Sequence, residues 1–237
     1  MNRLLAGPGA IDAAPISPER NVRLAAAFAG ILSAALGTAG VFVGRMWAFP
    51  ATGANAAEIT SFLNAHRSGL SIDMFLTTAA VGLWLIFGIG VWLCLRGPNA
   101  RESLLSGCFL AGLVSLVTLL LAGFAIFFVA LYRAPHASDP RLLYDLSFAL
   151  LAMSGLPTAL ATGAYGIRVL RSAPLPVWTA WLALAATLAH LLLMASLAIT
   201  SGFFSLEGGV TIAIPAILFS WILGTSIAML TRRPGDG

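Results

Sequence analysis

Lysine is absent from this chain, cysteine occurs twice, histidine three times, and only 9% of its 237 residues carry a charge. Each shortage closes off a class of function. Soluble domains carry about 25% charged residues, so this chain is too poor in charge to cover a water-facing surface. The pI near 9.8 would suit a nucleic-acid partner, but the thirteen basic residues, all arginine, are scattered singly between apolar runs instead of lining one face, so nucleic acid is not expected. Cys94 and Cys108 have no CxxC spacing and no nearby histidine. They read as small buried hydrophobes, and a disulfide would not persist in the reducing compartment they are assigned to below. His66, His136 and His190 form no haem or zinc spacing, and a set of His66, His136 and Asp139 matches no closed zinc pattern, so neither metal nor cofactor is expected.

What the chain has instead is oil. Apolar residues make up 59% of it, the mean hydropathy is +0.94, and six stretches carry no charged side chain: Leu24 to Gly44, Met74 to Leu95, Ser103 to Tyr132, Leu146 to Ile167, Ser172 to Leu206 and Gly208 to Thr231. At about 1.5 Å per residue, about 20 apolar residues cross a hydrocarbon layer of about 30 Å, and every stretch reaches that length. The expected fold is all-α, a polytopic bundle of six transmembrane helices near 24–44, 73–96, 103–132, 145–168, 176–200 and 209–231. Tails are expected at 1–22, where glycine and proline break any helical face, and at 232–237.

Three details refine that outline. The triplet Ala54-Asn55-Ala56 looks like a signal-peptidase site, but the first apolar run is too long for a signal peptide and Arg45, Trp47 and Pro50 intervene, so an uncleaved helix is expected. Between Arg45 and Ser71, the spacing of Ile59, Phe62 and Leu63 predicts a short interfacial helix or an outward extension of the second span. Pro174 and Pro176 restrict the start of the fifth span and later glycines loosen its end, leaving a helix near 177–199.

Orientation follows from the arginines. With six spans, Arg3, Arg20, Arg23, Arg96, Arg101, Arg168, Arg171, Arg232 and Arg233 share the side of both termini, while Arg45, Arg67, Arg133 and Arg141 lie opposite. Nine against four predicts cytoplasmic termini. Small residues mark expected packing faces: Gly37, Gly40 and Gly44 on the first span, and Ser220, Gly224 and Ala228 on the sixth, serving contacts within the bundle or a homodimer seam. Trp47, Trp92, Tyr132, Tyr144, Tyr165 and Trp178 lie near span ends and read as depth anchors, whereas Trp84 falls mid-span and reads as packing.

Few residues offer chemistry. His190 sits deep in the fifth span and needs a polar partner. Pro157 cannot donate to the carbonyl of Met153, and Ser154 lies beside that vacancy at a similar depth, so a structural hydrogen bond from His190 to Ser154 or to the Met153 carbonyl is expected. No catalytic residue is assigned. A serine nucleophile at Ser154 with His190 as base would weakly resemble rhomboid proteases, yet Ala152 replaces the usual glycine and the histidine is on the wrong span. Asp73 and Asp145 are expected at the outer mouths of the second and fourth spans, as helix-dipole partners or pathway charges, with Arg141 one turn from Asp145 as a pairing cation.

Three segments, Phe62 to Arg67, Leu143 to Ser147 and Leu175 to Trp181, resemble a family of six-span actinobacterial membrane proteins over roughly residues 24–231. The resemblance implies a helical protein of the bacterial cytoplasmic membrane and brings no activity and no functional residues. Abundant alanine and arginine without lysine suit a high-GC bacterium. The partners expected are the lipid bilayer and another membrane protein or a second copy. Two functions stay open: a non-enzymatic accessory subunit, favoured by a dry and filled centre, and a small transporter or channel for a proton-coupled or amphipathic solute, favoured by a cavity reaching His190.

Overall fold

The computed structural model describes residues 18–231 apart from 52, 98, 137–138, 200–201 and 207. Its helices are α1 Pro18–Gly44, α2 Ala56–Ala65, α3 Arg67–Leu95, α4 Ala100–Arg133, α5 Arg141–Met153, α6 Gly155–Ser172, α7 Val177–Leu193 and α8 Val210–Thr231. Single 3-10 turns follow α1 and α7 at Met46–Ala48 and Met194–Leu197. Among the described residues six segments are long and apolar enough to cross a bilayer: α1, α3, α4, α5 with α6, α7, and α8. The chain is an all-α, multi-pass membrane helix bundle.

Local chemistry sets the helix starts. Asn55 and Asn99 each accept the backbone N–H of an acid three residues on, Glu58 and Glu102, at 2.9 Å. The acid in turn faces the positive end of the helix dipole. Asn55, at the centre of the cleavage-like triplet, is thus a helix cap. Pro18 opens α1, where its missing N–H costs nothing, so residues 18–22 are helical and not part of a tail. The expected tails at 1–17 and 232–237 lie outside the described residues. α3 begins at Arg67, well before the expected 73. α2 is a separate short helix and not an extension of α3, and its apolar face is turned to the bundle: Ile59 and Leu63 are buried in a cluster with Phe127, Leu131, Tyr144 and Phe148 from α4 and α5.

The spans form a ring in chain order. α1 packs on α3 and α8, α4 joins α3 to α5 and α6, and α7 joins α6 to α8. Neighbours run antiparallel, as shown by Gly30 facing Phe87 while Gly40 faces Asp73, and by Gly155 facing His190 while Gly166 faces Leu184. The half of the ring nearer the start of α1 and the end of α8 is filled by Phe87, Phe109, Tyr165 and Trp221, whose rings stack edge-on or tilted at 5.2–6.5 Å.

Two expected depth anchors belong instead to the interior. Tyr165 donates its hydroxyl to Thr179 at 2.7 Å, and Tyr144 donates to the Pro50 carbonyl at 2.9 Å, so each ring is buried because its polar tip finds a partner inside. Trp47, Tyr132 and Trp178 are exposed near helix ends. At the filled end a buried arginine ties three helices: Arg168 Nε donates to the Leu95 carbonyl at 2.9 Å, and its Nη2 lies 3.3 Å from Glu102, which also accepts from Ser172.

Glycines set the helix separations. A Cβ at Gly112 would lie 2.7 Å from the Pro157 carbonyl oxygen and 2.8 Å from the Ala161 nitrogen, both backbone, whereas one at Gly82 would meet nothing within 4 Å. Gly112→Ala should therefore lower stability in detergent by about 1–3 kcal/mol relative to Gly82→Ala, which gains helix propensity without a clash. Paired thermal melts check this, and equal midpoints would contradict the α4–α6 contact.

Candidate functional site

The other half of the ring is hollow. A cavity of about 490 Å³ lies between α1, α3, α4, α5, α7 and α8, within the usual size range of small-molecule sites. Trp84, Leu116 and Leu218 separate it from the filled half, and Phe49, Phe127 and Phe148 close its other end beneath α2. Those three phenylalanines meet edge-on or tilted at 5.6–6.3 Å. The exposed members of its wall are on two neighbouring helices only: Thr38 and Phe42 on α1, Ala216, Ser220 and Leu223 on α8. The cavity thus opens sideways between α1 and α8, on the belt of the bundle that meets lipid.

Asp73 is the most unusual group in its wall. It is the seventh residue of α3, about 9 Å beyond the helix start, and 1% exposed, so it is neither a cap nor a mouth charge. Its carboxylate sits in a notch made by the glycine stripe of α1. A Cβ on Gly40 would fall 2.6 Å from Oδ1 and one on Gly44 would collide with Oδ2, while Gly37 makes room for the Phe219 ring of α8. The stripe serves contacts within the chain. Thr77, one turn on, donates its hydroxyl to Oδ1 at 2.8 Å, but Oδ2 is buried without a partner. Neither of the ion pairs found among the described residues, Arg141–Asp139 and Arg168–Glu102, involves Asp73.

His190 and Ser154 both line the cavity, but not as a bonded pair. The Ser154 hydroxyl donates to the Leu151 carbonyl at 2.6 Å, and His190 Nδ1 lies 2.8 Å from the Ala186 carbonyl, so each is satisfied by its own helix. The nucleophile–base contact of a serine hydrolase is therefore not made. Pro157 leaves no vacancy inside a continuous helix either. The span breaks at Ser154, which ends α5 by donating its N–H to Leu150 and starts α6 by accepting from Thr158 at 3.0 Å, placing Pro157 in a first turn where no N–H is needed. Gly155 permits the close approach to α7, since a Cβ there would lie 2.5 Å from the His190 carbonyl oxygen.

The remaining candidates lie elsewhere. Arg141 pairs with Asp139, not Asp145, through Nε at 2.8 Å and 3.0 Å. These hydrogen bonds hold the Asp139 carboxyl down at about 2, so this solvent-exposed pair persists as pH falls until about pH 2. Gly224 packs on Trp178 and Leu182 of α7, and Ala228 is buried, while Ser220 turns to the window. His136 is exposed and His66 stacks 4.9 Å from Phe62. Among the described residues no three His, Cys, Asp or Glu side chains gather as metal ligands. Thr77 and the Arg168–Glu102 pair were not singled out in the sequence. The Asp73 to Thr77 spacing of four was a readable signal, but the arginine pair spans two loops and had none.

No family model, curated protein or solved structure matches this chain.

The notch makes a quantitative prediction. Gly44→Ala should cost about 1–3 kcal/mol of stability in detergent, and adding Asp73→Ala should recover most of it because the clash disappears. Strictly additive melting shifts would mean the carboxylate is not seated there.

Proposed function

We propose that this chain is a non-enzymatic multi-pass protein of a bacterial cytoplasmic membrane, with both termini cytoplasmic, that takes an amphipathic, lipid-soluble molecule from the bilayer into its central cavity. The observation that carries this reading is the sideways window between α1 and α8 into a mostly apolar chamber. A solute arriving from water would need an open polar end, whereas Phe49 and the α2 cluster cap one end and stacked aromatics block the other. The arginine balance supports the orientation, and membership of the six-span actinobacterial family would agree with it.

An accessory subunit that only braces a partner calls for a filled centre. Half of this ring is filled and half is not, and the hollow half holds every deep polar group in the candidate set, which favours a guest-binding carrier. No cofactor takes part in this reading. The lipid bilayer is both solvent and source of the guest.

A photoactivatable neutral hydrocarbon, adamantyl diazirine, tests it. In wild-type chain it should label Trp84 and Leu120 inside the cavity, and Ser220→Trp, which fills the window, should cut that labelling about tenfold while outward-facing Leu142 is labelled as before. Labelling confined to the outer surface, or unchanged by the plug, would contradict the proposal.

A further inference from the structure

A guest that enters this chamber meets walls with a consistent hydrogen-bonding character. Ser147, Ser154 and Ser220 give their hydroxyl protons to the carbonyls of Tyr144, Leu151 and Ala216, and Thr77 gives its own to Asp73. Each hydroxyl oxygen therefore has only lone pairs left to offer. The Ala186 carbonyl can only accept, so His190 Nδ1 must carry its proton, and the neutral ring has Nε2 as a further acceptor. Asp73 stands behind this wall, its Oδ2 unpartnered but buried against Gly44 of α1, so it offers the chamber negative charge and no exposed oxygen. The donors that remain are the Trp84 indole N–H and the Thr38 hydroxyl out at the window, and neither is charged.

The placement is as telling as the inventory. α3 and α7 are opposite members of the ring, so Asp73 and His190 face the chamber from opposite walls. A carboxylate shut away from water is costly unless a cation or a proton meets it, and low-dielectric surroundings leave its field unscreened through a thin wall. Among the described residues no cation pairs with it.

Resting on the carrier reading above, we infer that the guest is an amphiphile with a cationic, hydrogen-bond-donating head of the alkylammonium class. The head lies at the wall in front of Asp73, its N–H groups donating to the lone pairs of the chamber wall, and the hydrocarbon tail leaves through the α1–α8 window. An anionic head meets the opposite conditions. A fatty carboxylate or a phosphate would face a like charge and a wall of acceptors, with two neutral donors to offset them.

Competition against adamantyl diazirine labelling decides this, using dodecylamine, dodecyltrimethylammonium and dodecanoate at about pH 8, where the amine is cationic and the acid anionic. In wild-type chain dodecylamine should protect Trp84 and Leu120 at a concentration about tenfold below that of dodecanoate. It should also outdo dodecyltrimethylammonium, which has the charge but no N–H to donate. Asp73→Asn should bring amine and acid to within about twofold of each other while hydrocarbon labelling continues. Thr77→Val, which frees Oδ1 without removing the charge, should keep the amine preference.

Equal protection by dodecanoate, parity of the quaternary ammonium with the amine, or an amine preference that survives Asp73→Asn would each overturn the head-group assignment. The wild-type series decides by itself if the Asn variant does not fold. Hydrocarbon labelling of the cavity without amine preference sinks this inference alone, whereas no cavity labelling at all sinks the carrier reading with it.

Discussion

Six helices in a ring leave a gap about one helix wide along the axis, and whatever fills that gap decides what the bundle can do. Lipid gives the helices no hydrophobic reason to close it, because tails solvate apolar side chains as well as another helix does. Filling therefore depends on side-chain size at each level. Around Phe87, Phe109, Tyr165 and Trp221 the side chains are large enough to meet across the axis. At the level of Gly123, Ser147 and Ser154 small residues take part in the wall beside larger ones such as Phe124 and Phe219, and the axis stays open. Both halves share the same helices, so their contrast is one of composition along each span.

The open half is also where the chain accepts an electrostatic cost. Burying a carboxylate with one oxygen unpartnered is unfavourable, and Gly40 and Gly44 give up helix propensity to make room for it. Two glycines and a buried charge, each costly alone, form one arrangement that packing alone does not require. The Arg168–Glu102 pair at the filled end is different in kind. There the charges are matched, with Leu95 and Ser172 adding hydrogen bonds, and the result ties three helix ends together.

The number of spans was legible because a charge-free run of bilayer length is a one-dimensional signal, whereas their ends were not, since α1 and α3 continue past the apolar run to Pro18 and Arg67. The small-residue stripe of α1 was legible as a contact face for the same reason. What it contacts was not, since Gly44 and Asp73 meet only through the register of α1 against α3. His190 and Ser154 both line the cavity without bonding each other, because side-chain hydrogen bonds to a residue's own preceding turn, as at Ala186 and Leu151, compete with any partner across a bundle and leave no mark in the spacing. Tyr144 and Tyr165 misled for a related reason: position near a span end is shared by lipid anchors and by buried rings, and only the partners Pro50 and Thr179 tell them apart. The cavity itself had no sequence signature, because it is made of what six separate helices leave out.

That open axis is the centre of the account, and native mass spectrometry of the chain released from its own membrane tests it most directly. The account predicts the 24.6 kDa chain carrying one small lipid-soluble adduct that survives mild activation and is lost when Ser220→Trp fills the window. A bare chain under the gentlest release, or adducts that the plug leaves untouched, would contradict it.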